Sequence, residues 1–148
     1  MSETNLDLFR SLRIEQFPNG TIIESQPAPE ILYPAFEDKQ LENGKKRKKD
    51  LNSKIDKDGD VWVEAGGGTS LWDRDKVFKG KSWLTFSIPK GTVIPESLII
   101  RFTDFNKIYN ANHYQIECKA QMMRKDAFKG ALDNLARNAL VRTIELAK

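Results

Sequence analysis

A single cysteine, Cys118, and a single histidine, His113, stand in a chain of 148 residues. One thiol cannot close an intramolecular disulfide or build a cysteine-cluster zinc site. One imidazole cannot build a multi-histidine centre, so only carboxylate-dominated metal sites stay open, and no metal is expected. This usage fits a reducing compartment. Long apolar runs are missing as well; none approaches the roughly 20 residues that a bilayer-crossing helix needs. The opening Met1-Ser2-Glu3-Thr4-Asn5-Leu6-Asp7 has no basic stretch followed by an apolar one, so no Sec-type signal is expected there.

A basic surface is also lacking. Lys and Arg number 24 against 21 Asp and Glu, for a net +3, but five of those cations form the run Lys45-Lys46-Arg47-Lys48-Lys49. Without it the balance is 19 against 21, or −2. The basic character belongs to one segment, and a general nucleic-acid-binding surface is not implied. Apolar material is sufficient: 39% hydrophobic residues, with three Trp, three Tyr and eight Phe, can fill a core and would not leave the chain wholly disordered. The length suggests one domain over residues 1–148.

Composition breaks most clearly at residues 37–60, with 15 charged residues out of 24 and only Leu41, Leu51 and Ile55 apolar. Such a stretch reads as a mobile, charged surface insertion. The remainder reads as short strands and two helices, an α+β pattern with no regular βαβ series. Residues 6–14, 61–63, 83–88, 98–102 and 113–118 are strand candidates. Residues 21–23, after the Asn19-Gly20 turn signal, are expected to pair back onto the first strand. Alternation puts His113, Gln115 and Glu117 on one face and Tyr114, Ile116 and Cys118 on the other. Phe128, Ala131, Leu132, Leu135 and Ala139 recur at helical steps and predict a C-terminal helix, with Asp126 near its start and Arg142 near its end.

Chemistry-bearing features are few. Asp56-Lys57-Asp58-Gly59-Asp60 opens like a calcium loop, but Val61 and Gly67 stand where that loop needs its Gly and its bidentate Glu, so a solvated turn is the reading. The 45–49 run reads as a charged loop; in a eukaryotic source it would read as a nuclear localisation signal. Gly66-Gly67-Gly68-Thr69-Ser70 allows close backbone approach and supplies hydroxyls, and could serve a ligand or simply a capped turn. It is no P-loop, because no Lys follows the last Gly. Ser70 and Asp73 have capping-box spacing, so residues 71–78 are expected to begin a short helix. His113 is the one side chain whose ordinary titration lies near neutral pH, and Arg10 is either a surface charge or a phosphate partner. Ser70 with His113 lacks the Gly-x-Ser-x-Gly setting of a hydrolase.

Taken in order, several of these segments resemble one family. Leu8-Phe9-Arg10, Gly67-Gly68-Thr69-Ser70-Leu71-Trp72-Asp73-Arg74, Ile88-Pro89-Lys90-Gly91-Thr92-Val93-Ile94-Pro95, Asn112-His113-Tyr114-Gln115-Ile116, and Leu132-Asp133-Asn134 followed by Arg137-Asn138-Ala139 are similar to the elements of the type VI secretion cytotoxins called "type six exported, two". The resemblance spans roughly residues 6–14 and 60–146. It implies an ADP-ribosyltransferase-like fold, with two small antiparallel or mixed sheets around a cleft and a C-terminal helix. It further implies an NAD-dependent cytotoxin acting in the cytoplasm by ADP-ribosyl transfer or NAD glycohydrolysis, silenced by a cognate immunity protein. On matching positions it implies Arg10, Thr69, Ser70 and His113 as catalytic residues, and Arg10, Gly67, Gly68, Thr69 and Ser70 as NAD-binding residues. The family's third-motif Glu has no counterpart on the His113 strand, which leaves the acceptor open. A noncatalytic module of the same fold, binding nucleic acid or another ligand, is the alternative.

Overall fold

The computed structural model describes residues 2–23, 26–41 and 43–148. In chain order its strands are β1 (Ser2–Glu3), β2 (Leu8–Arg13), β3 (Ile22–Ile23), β4 (Gln26–Pro27), β5 (Lys39–Gln40), β6 (Lys46–Arg47) and β7 (Ser53–Ile55). There follow β8 (Val61–Glu64), β9 (Thr69–Trp72), β10 (Trp83–Ile88), β11 (Val93–Ile94), β12 (Leu98–Asn106), β13 (Ala111–Cys118) and β14 (Met122–Arg124). The single α-helix among the described residues, α1 (Lys125–Leu146), ends the chain. The result is the expected α+β architecture, with several antiparallel sheets. No helix is long and apolar enough to cross a membrane.

The largest sheet has five strands in the order β10-β2-β9-β13-β12, all antiparallel. Its joints are unequal. β10 and β2 are in register over six residue pairs and β13 and β9 over four, whereas β2 and β9 meet only at Phe9 and Trp72. Beyond that pair the two strands part, and the sheet divides into a β10–β2 wing and a β9–β13–β12 wing.

Register fixes the faces, because directly opposed residues in an antiparallel pair point the same way. Leu8 and Leu12 share a face with Ile88, Phe86 and Leu84 across the β2–β10 ladder, and Leu71 shares that face with Tyr114. This side is covered by α1, whose Phe128, Leu132, Leu135 and Ala139 are buried at the three- and four-residue steps that the sequence displays. Ile31, Leu32, Leu51 and Val63 complete the core. A smaller cluster of Trp72, Val77 and Ala111, with Phe78 and Tyr109 against it, lies on the other face.

Two local expectations are corrected. Residues 71–78 form no helix: Leu71 and Trp72 are both buried, on opposite faces, which only a strand can satisfy. Asp73 is drawn to the neighbouring strand instead of a cap; its carboxylate accepts from Asn112 N at 2.9 Å and from Asn112 Nδ2 at 2.8 Å. Ile22–Ile23 pairs with Gln26–Pro27, not with the first strand. Residues 37–60 contain the β5–β6 hairpin and β7, which pairs with β8, and they bury Leu51 to 4% exposure. Within them Asp56 Oδ1 accepts from Asp58 N and Asp60 N at 2.9 and 3.0 Å, a side-chain-stapled turn as the sequence suggests.

Gly68 tests how tightly this framework is closed. A Cβ there would lie 1.8 Å from the Ile116 carbonyl oxygen, whereas one at Gly130, inside α1, would meet nothing within 4 Å. Gly68→Ala should therefore cost more than about 2 kcal/mol in urea unfolding. Gly130→Ala should stabilise by up to about 1 kcal/mol. Equal midpoints for the two variants would contradict this packing.

Candidate active site

Arg10 occupies the place where the sheet divides. In phase with Leu8 and Leu12, it is carried toward the core-facing side, where an unpartnered guanidinium would be costly. It spans the opening: Nη1 donates to the Ser70 carbonyl at 3.2 Å and Nη2 to the Tyr33 carbonyl at 3.1 Å. Its Nε is buried without a hydrogen-bond partner among the described residues. Burial draws the Arg10 pKa down to about 10, opposed by Asp50 and reinforced by Arg47, and the side chain stays charged at neutral pH.

The segment 66–70 is held from both sides. Gly67 passes so close to Asp50 and Leu51 that a Cβ would lie 2.4 Å from the Asp50 carbonyl oxygen, and Gly68 is pressed against Ile116. Gly66, at φ +100°, donates its N–H to Glu117 Oε1 at 3.0 Å. Glu117 Oε2 accepts from Arg101 Nε and Gln115 Nε2, both at 2.9 Å. Burial alone would raise the Glu117 pKa, but these donors outweigh it and hold the carboxyl below its ordinary range. Thr69 is fully buried, and its hydroxyl donates to the Leu32 carbonyl at 2.6 Å. Ser70 is half-buried and follows on the opposite face.

His113 stands opposite Trp72 in the β9–β13 register, and the two rings meet edge to face at 4.8 Å. A bulge in β12 brings Thr103 Oγ1 within 2.5 Å of His113 Nδ1 and 3.1 Å of its carbonyl oxygen. Burial lowers the His113 pKa, partly offset by Asp104, so the ring is neutral at neutral pH.

These residues surround the opening without all facing it. Arg10 and Thr69 lie on the core-facing side of the sheet, and Ser70 and His113 on the other. A hollow of about 1280 Å³ extends from the parting of β2 and β9; Arg10 and Ser70 both line it, while Thr69, Gly67, Gly68 and His113 lie outside its lining. His113 is joined to it through Trp72, which does line it. Of the aromatic wall only Trp72 lies in a family-like motif: Phe78 stacks on Trp83 at 4.6 Å, Trp72 meets Phe78 at 6.2 Å, and Tyr33 and Phe36 also line the hollow. Arg13 lies over Trp83 at 4.6 Å, and Lys129 over Tyr33 at 5.6 Å. The Tyr33 hydroxyl donates to Asp133 Oδ2 at 2.9 Å; burial and that carboxylate push its pKa up to about 12. Ring stacking and cation–π geometry are the recoverable signals here, and both need the fold before they can be seen. Chemically, the hollow offers flat apolar surfaces for planar rings and fixed cations for anionic groups.

The His113 environment generates a pH dependence. Its folded pKa lies below its unfolded value of about 6.5, so the unfolded chain binds more protons in between. The associated stability is present above about pH 6.5 and is lost as pH falls through the folded pKa. Between pH 7.5 and 5.5 the wild-type melting temperature should therefore drop by more than that of His113→Asn. Parallel curves would remove His113 as the source.

The sequence pattern described as "Tse2 ADP-ribosyltransferase toxin" matches residues 10–144. The chain is also 32% identical to Toxin Tse2 of Pseudomonas aeruginosa over 131 residues, which are 88% of this chain and 80% of that protein. The family resemblance carried by Arg10, residues 67–74 and His113 is thus borne out, and the chain belongs to the Tse2 family of ADP-ribosyltransferase toxins.

Proposed function

We propose that this chain is an NAD-dependent cytotoxin of ADP-ribosyltransferase-like fold, and that the hollow at the parting of β2 and β9 is its NAD cleft. It would break the nicotinamide–ribose bond, by ADP-ribosyl transfer or NAD glycohydrolysis, in the target-cell cytoplasm after type VI delivery. In the producing cell a cognate immunity protein would silence it. The carrying observation is the joint placement of Arg10 and Ser70 at a hollow walled by Trp72, Phe78 and Trp83.

Each assigned residue has a physical task in this reading. Planar rings of the dinucleotide find flat partners in the aromatic wall. Bond cleavage leaves cationic character on the ribose, which a neutral imidazole tolerates and a charged one would oppose. His113 is neutral at pH 7 and touches the wall through Trp72, so it orients that ring and is able to take up a proton. Ser70 presents its hydroxyl from the rim to a ribose hydroxyl. Thr69, whose own hydroxyl is committed to Leu32, acts as a positioning residue for Ser70. Gly67 and Gly68 act likewise, by allowing the close backbone packing that fixes the strand. Glu117 is engaged by Gly66, Arg101 and Gln115, so it is not a free carboxylate for orienting an acceptor. That favours water, or an acceptor that needs no carboxylate help.

Purified protein incubated with NAD, alone and with cell lysate, should release nicotinamide, measured by chromatography. His113→Ala should slow release by about a hundredfold and Ser70→Ala by about tenfold, with native circular dichroism retained. Folded wild type that leaves NAD intact under both conditions would overturn the enzyme reading.

A further inference from the structure

The sequence of segment 37–60 reads as a charged surface insertion, yet its β5–β6 hairpin borders the hollow: Lys39 and Arg47 both line it. They are also direct register partners, so two cations are held opposite each other on one face. Like charges in that relation destabilise a hairpin unless something anionic lies between or beside them. Arg47 has the Asp50 carboxylate at 3.8 Å, a long contact that leaves about half of its side chain exposed, and Lys39 makes no ion pair among the described residues.

The other cations of the lining are held in place by neutral protein groups. Arg10 spends Nη1 and Nη2 on two carbonyls, and its remaining Nε is buried and unpartnered. Arg13 lies over Trp83, and Lys129 lies over Tyr33 and Phe36. Lys39 and Arg47 are the lining cations whose side chains are neither spent on carbonyls nor laid over a ring, although Glu15, Glu30, Glu37 and Asp50 share the lining. A polyphosphate is the ligand class that suits two adjacent cations, one of them a planar fork.

We infer that Lys39 and Arg47 form an anion clamp that receives the diphosphate of a nucleotide lying in the hollow, making strands β5 and β6 part of the binding site. The clamp rests on the reading of the hollow as a nucleotide cleft and moves the phosphate contact from Arg10, a strut, to a segment outside the family-like motifs. Binding is then electrostatic and weakens with ionic strength.

The test measures ADP, pyrophosphate and adenosine binding by calorimetry on the intact chain. Lys39→Gln and Arg47→Gln should each weaken ADP and pyrophosphate about tenfold and leave adenosine unchanged. Lys54→Gln, an exposed cation on β7, should bind as wild type does. Lys39→Glu separates binding from folding: it places an acid opposite Arg47, so the melting temperature should hold or rise while ADP binding is lost. Wild-type ADP affinity in the Lys39 and Arg47 variants would overturn the clamp. So would an equal loss of adenosine binding, or wild type that binds neither ADP nor pyrophosphate. A protein that binds ADP through these residues but leaves NAD intact keeps the clamp and loses the enzyme reading; the reverse result keeps the enzyme and loses the clamp.

Discussion

A guanidinium at a core-facing position has to be answered by acceptors, and the way Arg10 is answered organises the molecule. The core-facing position between Leu8 and Leu12 is one that an apolar residue would ordinarily fill. Arg10 instead reaches across to the Ser70 and Tyr33 carbonyls and ties three chain segments at the point where the sheet divides. The hydrogen bonds that the two strands do not make with each other are replaced in part by this one side chain.

On the far side of the opening the same economy of contacts holds residues 66–70. Glu117 collects donors from Gly66, Arg101 and Gln115, so one carboxylate fixes a positive-φ glycine, an exposed arginine and its own strand neighbour. Gly67 and Gly68 have their space taken by backbone, not by ligand. Gly67 and Gly68 therefore act through packing: they set the depth at which Thr69 is buried and Ser70 emerges. Rigid support of this kind is what a site needs when its reacting groups must be placed to within about half an ångström.

Periodicity made much of the framework legible. The buried face of α1 and the strands at residues 83–88, 98–102 and 113–118 follow directly from spacing, since burial on one face is imposed by the same core that the spacing describes. Residues 71–78 misled because capping-box spacing is a local signal, and the need to bury both Leu71 and Trp72 overrode it. Two-residue strands such as β5 and β6 carry no periodic signature, so Lys39 and Arg47 could not be seen to oppose each other. Family-like motifs located Ser70 and His113 in the chain but not on a face of the sheet; that assignment needed the register of β9 against β13. The aromatic wall draws on Tyr33, Phe36, Trp72, Phe78 and Trp83, and no linear pattern links them.

The bulge at Thr103 has one more consequence. β12 is the outermost strand of its sheet, and Ile99, Phe102 and Phe105 along it are exposed, a combination that invites a neighbouring molecule to add a strand. The extra residue breaks the regular row of donors and acceptors halfway along, and Arg101 and Asp104 flank the break with opposite charges. The kink that presents a hydroxyl to the imidazole thus also interrupts the straight border on which a further strand would pair.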